Sequence, residues 1–127
     1  MTFDWRLYLQ LADELINYQR TASLQEAYYR SAISRSYYGV FCIARNFLIS
    51  SKGITIPKTD THKFVREEYK ESTNREEKKI GKDLGRLWKE RKAADYEDKV
   101  KVDTHRTQVA YQLSFRTFRR LHQIGAI

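Results

Sequence analysis

Residues Ser23 to Ser51 read SLQEAYYRSAISRSYYGVFCIARNFLISS, and the fold class turns on this stretch. It contains no proline and a single glycine, Gly39. Ile33, Tyr37, Val40, Phe41, Ala44, Phe47 and Leu48 recur at the spacing of one helical face. Ala32, Ser36 and Gly39 form a strip of small side chains beside that face, where a second helix can approach closely. Ser23-x-x-Glu26 has the pattern of a capping box at the start. The stretch therefore predicts one long, largely buried helix.

Working outward, four further helices are predicted. The first spans about Asp4 to Arg20, with Leu7, Leu11, Leu15 and Tyr18 sharing a face. After the long helix, Gly53 suits a helix C-terminus and Pro57 prevents continuation. A short helix from about Thr61 to Ser72 carries His62, Val65 and Tyr69 on one side. Thr73-x-x-Glu76 and Asn74-x-x-Glu77 both resemble starts of a fourth helix, which runs to about Lys92 on a stripe of Ile80, Leu84 and Leu87. A charged, polar stretch from Ala94 to Asp103 follows. Asp103 or Thr104 caps a fifth helix ending near Ile124, with Val109, Leu113, Leu121 and Ile124 inward. Short connections between long amphipathic helices imply an all-α, up-and-down antiparallel bundle of four to five helices.

Composition agrees. The 127 residues suffice for one domain, expected to span residues 1–127. One proline and five glycines are too few for the many turns of a β-sandwich or barrel. The formal charge of +8 suits either a polyanionic or acidic partner or simple solubility. Cys42, the one cysteine, sits among apolar neighbours as a core residue; it cannot form an intrachain disulfide, which points to a reducing compartment. No N-terminal basic-then-apolar segment and no apolar run of membrane-spanning length is present, so a cytoplasmic location away from membranes is expected.

Arg91 stands out energetically. At about 100° per residue it projects roughly 20° from Ile80, inside the apolar stripe of the fourth helix. A guanidinium is permanently charged and costly to bury unpaired. Asp95 follows at i+4 on the same face if the helix continues. Three readings are open for Arg91: a snorkelling end-of-helix cation, a buried pair that fixes register, or a functional group. Arg35 and Tyr38 form a second candidate cluster on the long helix. On the last helix Arg116, Arg119 and Arg120 project together opposite the apolar face, suited either to phosphates or to plain solvation. His62, His105 and His122 lack metal-site spacing, so neither a metal nor another cofactor is expected.

Two of these segments together carry a family resemblance. Ser31-Ala-Ile-Ser-Arg-Ser-Tyr-Tyr-Gly-Val-Phe41 resembles the signature on the second helix of HEPN-domain proteins. Arg91-Lys-Ala-Ala-Asp-Tyr96 resembles the second signature of one HEPN branch, and Thr61-His62-Lys63 matches that branch's third-helix opening. The resemblance implies a dimerising bundle, encoded beside a small nucleotidyltransferase as a toxin–antitoxin pair. It also implies metal-independent ribonuclease activity, which in that family uses an arginine and a histidine separated by four to six intervening residues. Here Tyr96, Glu97 and Asp98 occupy the possible histidine positions. The implied catalytic set is Arg91, Asp95 and Tyr96, with Arg35, Tyr38, His62, Arg116, Arg119 and Arg120 as candidate RNA- or partner-binding residues. The alternative is a non-catalytic module that binds a nucleotide or its nucleotidyltransferase partner, with Tyr96 open to modification by that partner.

Overall fold

The computed structural model describes residues 2–127. Five α-helices form an all-α bundle: α1 (Arg6–Asn17), α2 (Gln25–Lys52), α3 (Thr61–Lys70), α4 (Arg75–Tyr96) and α5 (Thr104–Gln123), with a 3-10 turn at Ala22–Leu24 before α2. α2 is the hub, packed against α1, α4 and α5, while α3 rides on α4. Side-chain contacts fix the directions. Ser34 meets Asp95 and Lys52 pairs with Glu77, so α2 and α4 are antiparallel. Arg106 meets Glu90 and Arg120 meets Glu76, so α5 runs antiparallel to α4.

α2 owes its length to a sequence with no breaker before Gly53. Gly53 takes the left-handed conformation at φ 64°, and Ile54 N–H returns to the Leu48 carbonyl at 3.0 Å. Its buried face joins Tyr37, Val40, Phe41 and Leu48 to Val65, Tyr69, Ile80, Leu84, Leu87 and Leu121 in one core. The small strip works as its composition predicts. A Cβ on Gly39 would lie 3.3 Å from both the Trp5 carbonyl oxygen and Tyr8 Cβ, so α1 crosses at backbone contact there. Asn74 and Asp103 cap α4 and α5, each accepting from a backbone N–H three residues on.

Four expectations need correction. α1 buries Leu9, Ala12 and Ile16, whereas Leu7, Leu11 and Tyr18 are exposed. Ala12 packs with Ala32 and Ile16, and this close approach to α2 selects the smaller stripe over the larger leucines. Val109 likewise faces outward, and Ala110 takes the core position beside it. The Ser23–Glu26 box does not form, because Glu26 instead accepts from Val102 N–H at 3.1 Å and from Arg30. Those donors, Val102 first, hold its carboxyl below the usual carboxylate range. Finally, α4 continues four residues past Lys92, through Ala93, Ala94, Asp95 and Tyr96.

α3 and α4 meet over Gly81. A Cβ there would lie 2.8 Å from the Lys70 backbone nitrogen, whereas at Gly85, one turn on, nothing lies closer than 3.8 Å. Gly81→Ala is therefore expected to destabilise by about 1–3 kcal/mol through overpacking. Gly85→Ala is expected to stabilise by about 0.5–1 kcal/mol through helix propensity. Urea unfolding of the two variants should show opposite signs.

Candidate functional site

The site forms where α1, α2 and the end of α4 converge. Arg91 keeps 9% of its surface exposed, so its charge is largely withdrawn from water. Its guanidinium carbon lies 5.1 Å from the ring centres of Tyr38 and Trp88 and 5.2 Å from that of Tyr96. Three π-faces thus replace part of its hydration. Arg91 Nε approaches Asp95 Oδ2 to 2.8 Å, but its N–H is not aligned on that oxygen, so the pair is held by charge more than by a hydrogen bond. Arg91 Nη2 donates to Tyr96 Oη at 3.3 Å. The continuation of α4 past Lys92 is what creates the pair, since i and i+4 share a face only within a helix.

α2 supplies the opposite wall. Ser34 Oγ donates to Asp95 Oδ2 at 3.2 Å, and Arg35 Nη2 donates to Ser34 Oγ at 3.3 Å. Arg35 also lies over the rings of Tyr8 and Tyr38, at 4.8 and 5.5 Å. Ser34, Arg35, Tyr38, Arg91 and Asp95, with Trp5 and Tyr8 from the α1 end, enclose a cavity of about 510 Å³. Two arginines and one carboxylate around aromatic walls suit a ligand with an anionic group and a flat ring. Cys42 also borders this cavity, but burial pushes its thiol up, which leaves it a poor nucleophile.

Beneath the cage, Tyr37 Oη and His62 Nδ1 are 2.6 Å apart. The His62 ring stacks on Phe41 at 4.3 Å and on Trp88 at 4.7 Å. Burial, then the Arg91 and Arg66 guanidinium groups, pushes His62 down to about 4 from 6.5. Because the folded value lies below the unfolded one, protonation favours the unfolded chain. Stability from this residue is complete above pH 6.5 and is lost as pH falls towards 4. The Tm of the wild type should fall through that window, and His62→Gln should flatten the fall.

The expected residues divide into groups. Arg91, Asp95, Tyr96, Arg35 and Tyr38 come together. His62 lies behind Tyr38 and Trp88, with its Nδ1 engaged by Tyr37. Of the three arginines of α5, Arg116 and Arg119 line one cavity together, whereas Arg120 leaves the outward cluster. Arg116 and Arg120 turn to the buried Asp83 of α4, at 2.8 and 3.4 Å, while Arg119 lies over Phe115. Asp83 draws them because its carboxylate, 4% exposed, requires cations.

Ser34, Trp88, Trp5 and Tyr8 were not foreseen. Trp88 was within reach of sequence reasoning, lying three residues before Arg91 on the same helical face. Arg30 was also missed. It donates to the carbonyls of Ala93, Ala94, Glu97 and Val100 and so anchors the end of α4 beneath Asp95 and Tyr96. No helix is long and apolar enough to cross a membrane among the described residues.

A family model for the HEPN domain matches residues 6–123, nearly the whole chain. The chain belongs to the HEPN family. HEPN domains are helical modules of a ribonuclease and RNA-binding type, and the five-helix bundle here is a HEPN bundle. No match is found among curated proteins or among solved structures.

Proposed function

We propose that this HEPN domain acts on RNA at the Arg91 cavity, cutting the strand without a metal, as the toxin-like half of a pair with a small nucleotidyltransferase. The observation that carries the reading is Arg91 itself: a nearly buried guanidinium, caged by three rings, lining an open cavity beside a carboxylate and a phenol. A desolvated, preorganised cation stabilises charge that builds on a phosphate more strongly than a hydrated one does.

The chemistry follows from the arrangement. The Asp95 carboxylate takes the proton from a ribose 2′-hydroxyl, whose oxygen attacks the adjacent phosphorus. Arg91 offsets the added charge on the phosphate oxygens. The bond from phosphorus to the 5′-oxygen breaks, that oxygen takes a proton from Tyr96, and a 2′,3′-cyclic phosphate remains. The contact with Arg91 supports this role, since Arg91 donates into the Tyr96 oxygen and leaves its hydrogen for another acceptor. Asp95 Oδ2 faces Ser34 and Arg91, leaving Oδ1 for the 2′-hydroxyl. A homodimer joining two such cavities would lengthen the binding surface.

A second reading, binding without turnover, is favoured by one observation. The nearest histidine, His62, is turned to Tyr37, so no imidazole lines the cavity to carry a proton near neutrality. In that reading the cavity holds a nucleotide or the nucleotidyltransferase partner. Tyr96, 70% exposed, would then be the hydroxyl that the partner modifies.

Purified protein, free of its partner, should convert RNA to fragments with cyclic phosphate ends in the presence of EDTA. Intact RNA after prolonged incubation, with retained RNA or nucleotide binding, would decide for the second reading.

A further inference from the structure

α4 sorts its charges by face. Each of its acidic side chains meets a cation: Glu76 and Asp83 reach Arg120, Glu77 reaches Lys52, Glu90 reaches Arg106 and Asp95 reaches Arg91. Lys82, Arg86 and Lys89 have no such partner among the described residues. They border the α3–α4 groove, opposite Arg66 and Lys70, and no acidic residue lines this central cavity of about 380 Å³. Gly85 forms its floor, with Arg66 Cδ and Lys70 Nζ each 3.8 Å from where a Cβ would stand.

Two further observations point to a ligand. Arg66 Nη1 is buried and has no hydrogen-bond partner, a state that a folded chain seldom leaves uncompensated. Neighbouring cavities also share its lining residues. Arg66 and Trp88 border one of about 490 Å³ towards Lys58 and Lys63, with Asp60 its single carboxylate, and Arg86 borders another of about 590 Å³ towards Arg119. Cations along one helix face repeat about every 6 Å at i, i+4 spacing. Such a row disfavours itself unless a polyanion lies along it.

We propose that the α3–α4 groove is a phosphate track, separate from the Arg91 cavity, which carries an RNA backbone from Lys58 past Gly85 to Arg119. Trp88 stands between track and cavity, with Arg66 on the track side 5.5 Å from its ring centre and Arg91 on the other at 5.1 Å. A strand held in the track is thereby kept beside the cavity without occupying it. The choice of RNA as the polyanion rests on the function proposed for Arg91; the track itself rests on the groove.

The test is equilibrium binding of a 2′-O-methyl RNA oligonucleotide, which cannot be cut through its 2′-oxygen, across a salt series. Lys70→Ala with Arg86→Ala should weaken binding about 10- to 100-fold and reduce the slope of log K against log salt by about 1.4, the value for two lost contacts to a single strand. Gly85→Leu, which adds a better helix former while filling the floor, should weaken binding without loss of Tm. Arg91→Ala removes at most one phosphate contact and should lower the slope by no more than about 0.7, half the loss in the double variant. An unchanged slope in the double variant overturns the track, as does polyglutamate binding as tightly as RNA, which would mark the groove as a site for an acidic protein. Wild-type RNA processing by Arg91→Ala would overturn the function proposed for the cavity and leave the track standing.

Discussion

Arg91→Ala should reduce metal-free RNA cleavage roughly 10²- to 10³-fold, the usual consequence of removing one preorganised charge-stabilising group. The fold should survive. Asp95 reaches solvent and keeps the Ser34 hydroxyl, so its charge is not stranded when the guanidinium goes. A loss near 1 kcal/mol is expected, mostly from packing against Tyr38, Trp88 and Tyr96. Arg91→Lys separates charge from shape. An ammonium keeps the positive charge but cannot present a planar fork or stack between rings, so it should recover only part of the activity. Cleavage in EDTA, read beside Tm, checks both variants. Wild-type rates in Arg91→Ala would take this residue out of the chemistry.

The largest effect on stability is expected at Asp83. Its buried carboxylate collects Arg116 at 2.8 Å, Arg120 at 3.4 Å and the Thr117 hydroxyl at 3.4 Å, tying α4 to α5 near the middle of the bundle. Asp83→Ala removes the anion and leaves Arg120, with its Nε already buried and without a hydrogen bond, to Glu76 alone. Breaking one side of such a cluster costs about 3 kcal/mol. For a domain of this size that lowers Tm by roughly 10 °C. Arg116→Ala, which leaves Asp83 with Arg120, should cost clearly less. Thermal unfolding of the two variants measures the difference, and equal losses would mean that Asp83 relies on Arg116 alone.

The helices were legible because their signals are local. α2 has no breaker from Gln25 to Lys52, and Asn74 and Asp103 make the caps that their spacing announces. The errors arose where a distant residue decides. Nothing near Lys92 shows that α4 continues to Tyr96, because the side chain that holds its last carbonyls, Arg30, comes from another helix. Glu26 makes no capping box because Val102 claims its carboxylate. On α1 the leucines at 7 and 11 outweigh Ala12 in any count of apolar residues, but it is Ala12 that packs against Ala32 at the crossing with α2. In the candidate site, Arg91, Asp95, Arg35 and Tyr38 could be read from short signatures. The Trp5 and Tyr8 wall could not, since it depends on how close Gly39 lets α1 come.

Arg30 has one more consequence, in the time domain. Helix ends ordinarily fray, and their amides exchange with solvent far sooner than those of the core. At the end of α4 one half-buried guanidinium clasps carbonyls of both the final turn and the segment after it, from Ala93 to Val100. The amides of Asp95, Tyr96 and Glu97 should therefore open together with α2 and exchange slowly in deuterium, while the N-terminal turn of α4, which has no such clasp, exchanges early. The two ends of a single helix would then run on different clocks, the slower one at the end that carries Asp95 and Tyr96.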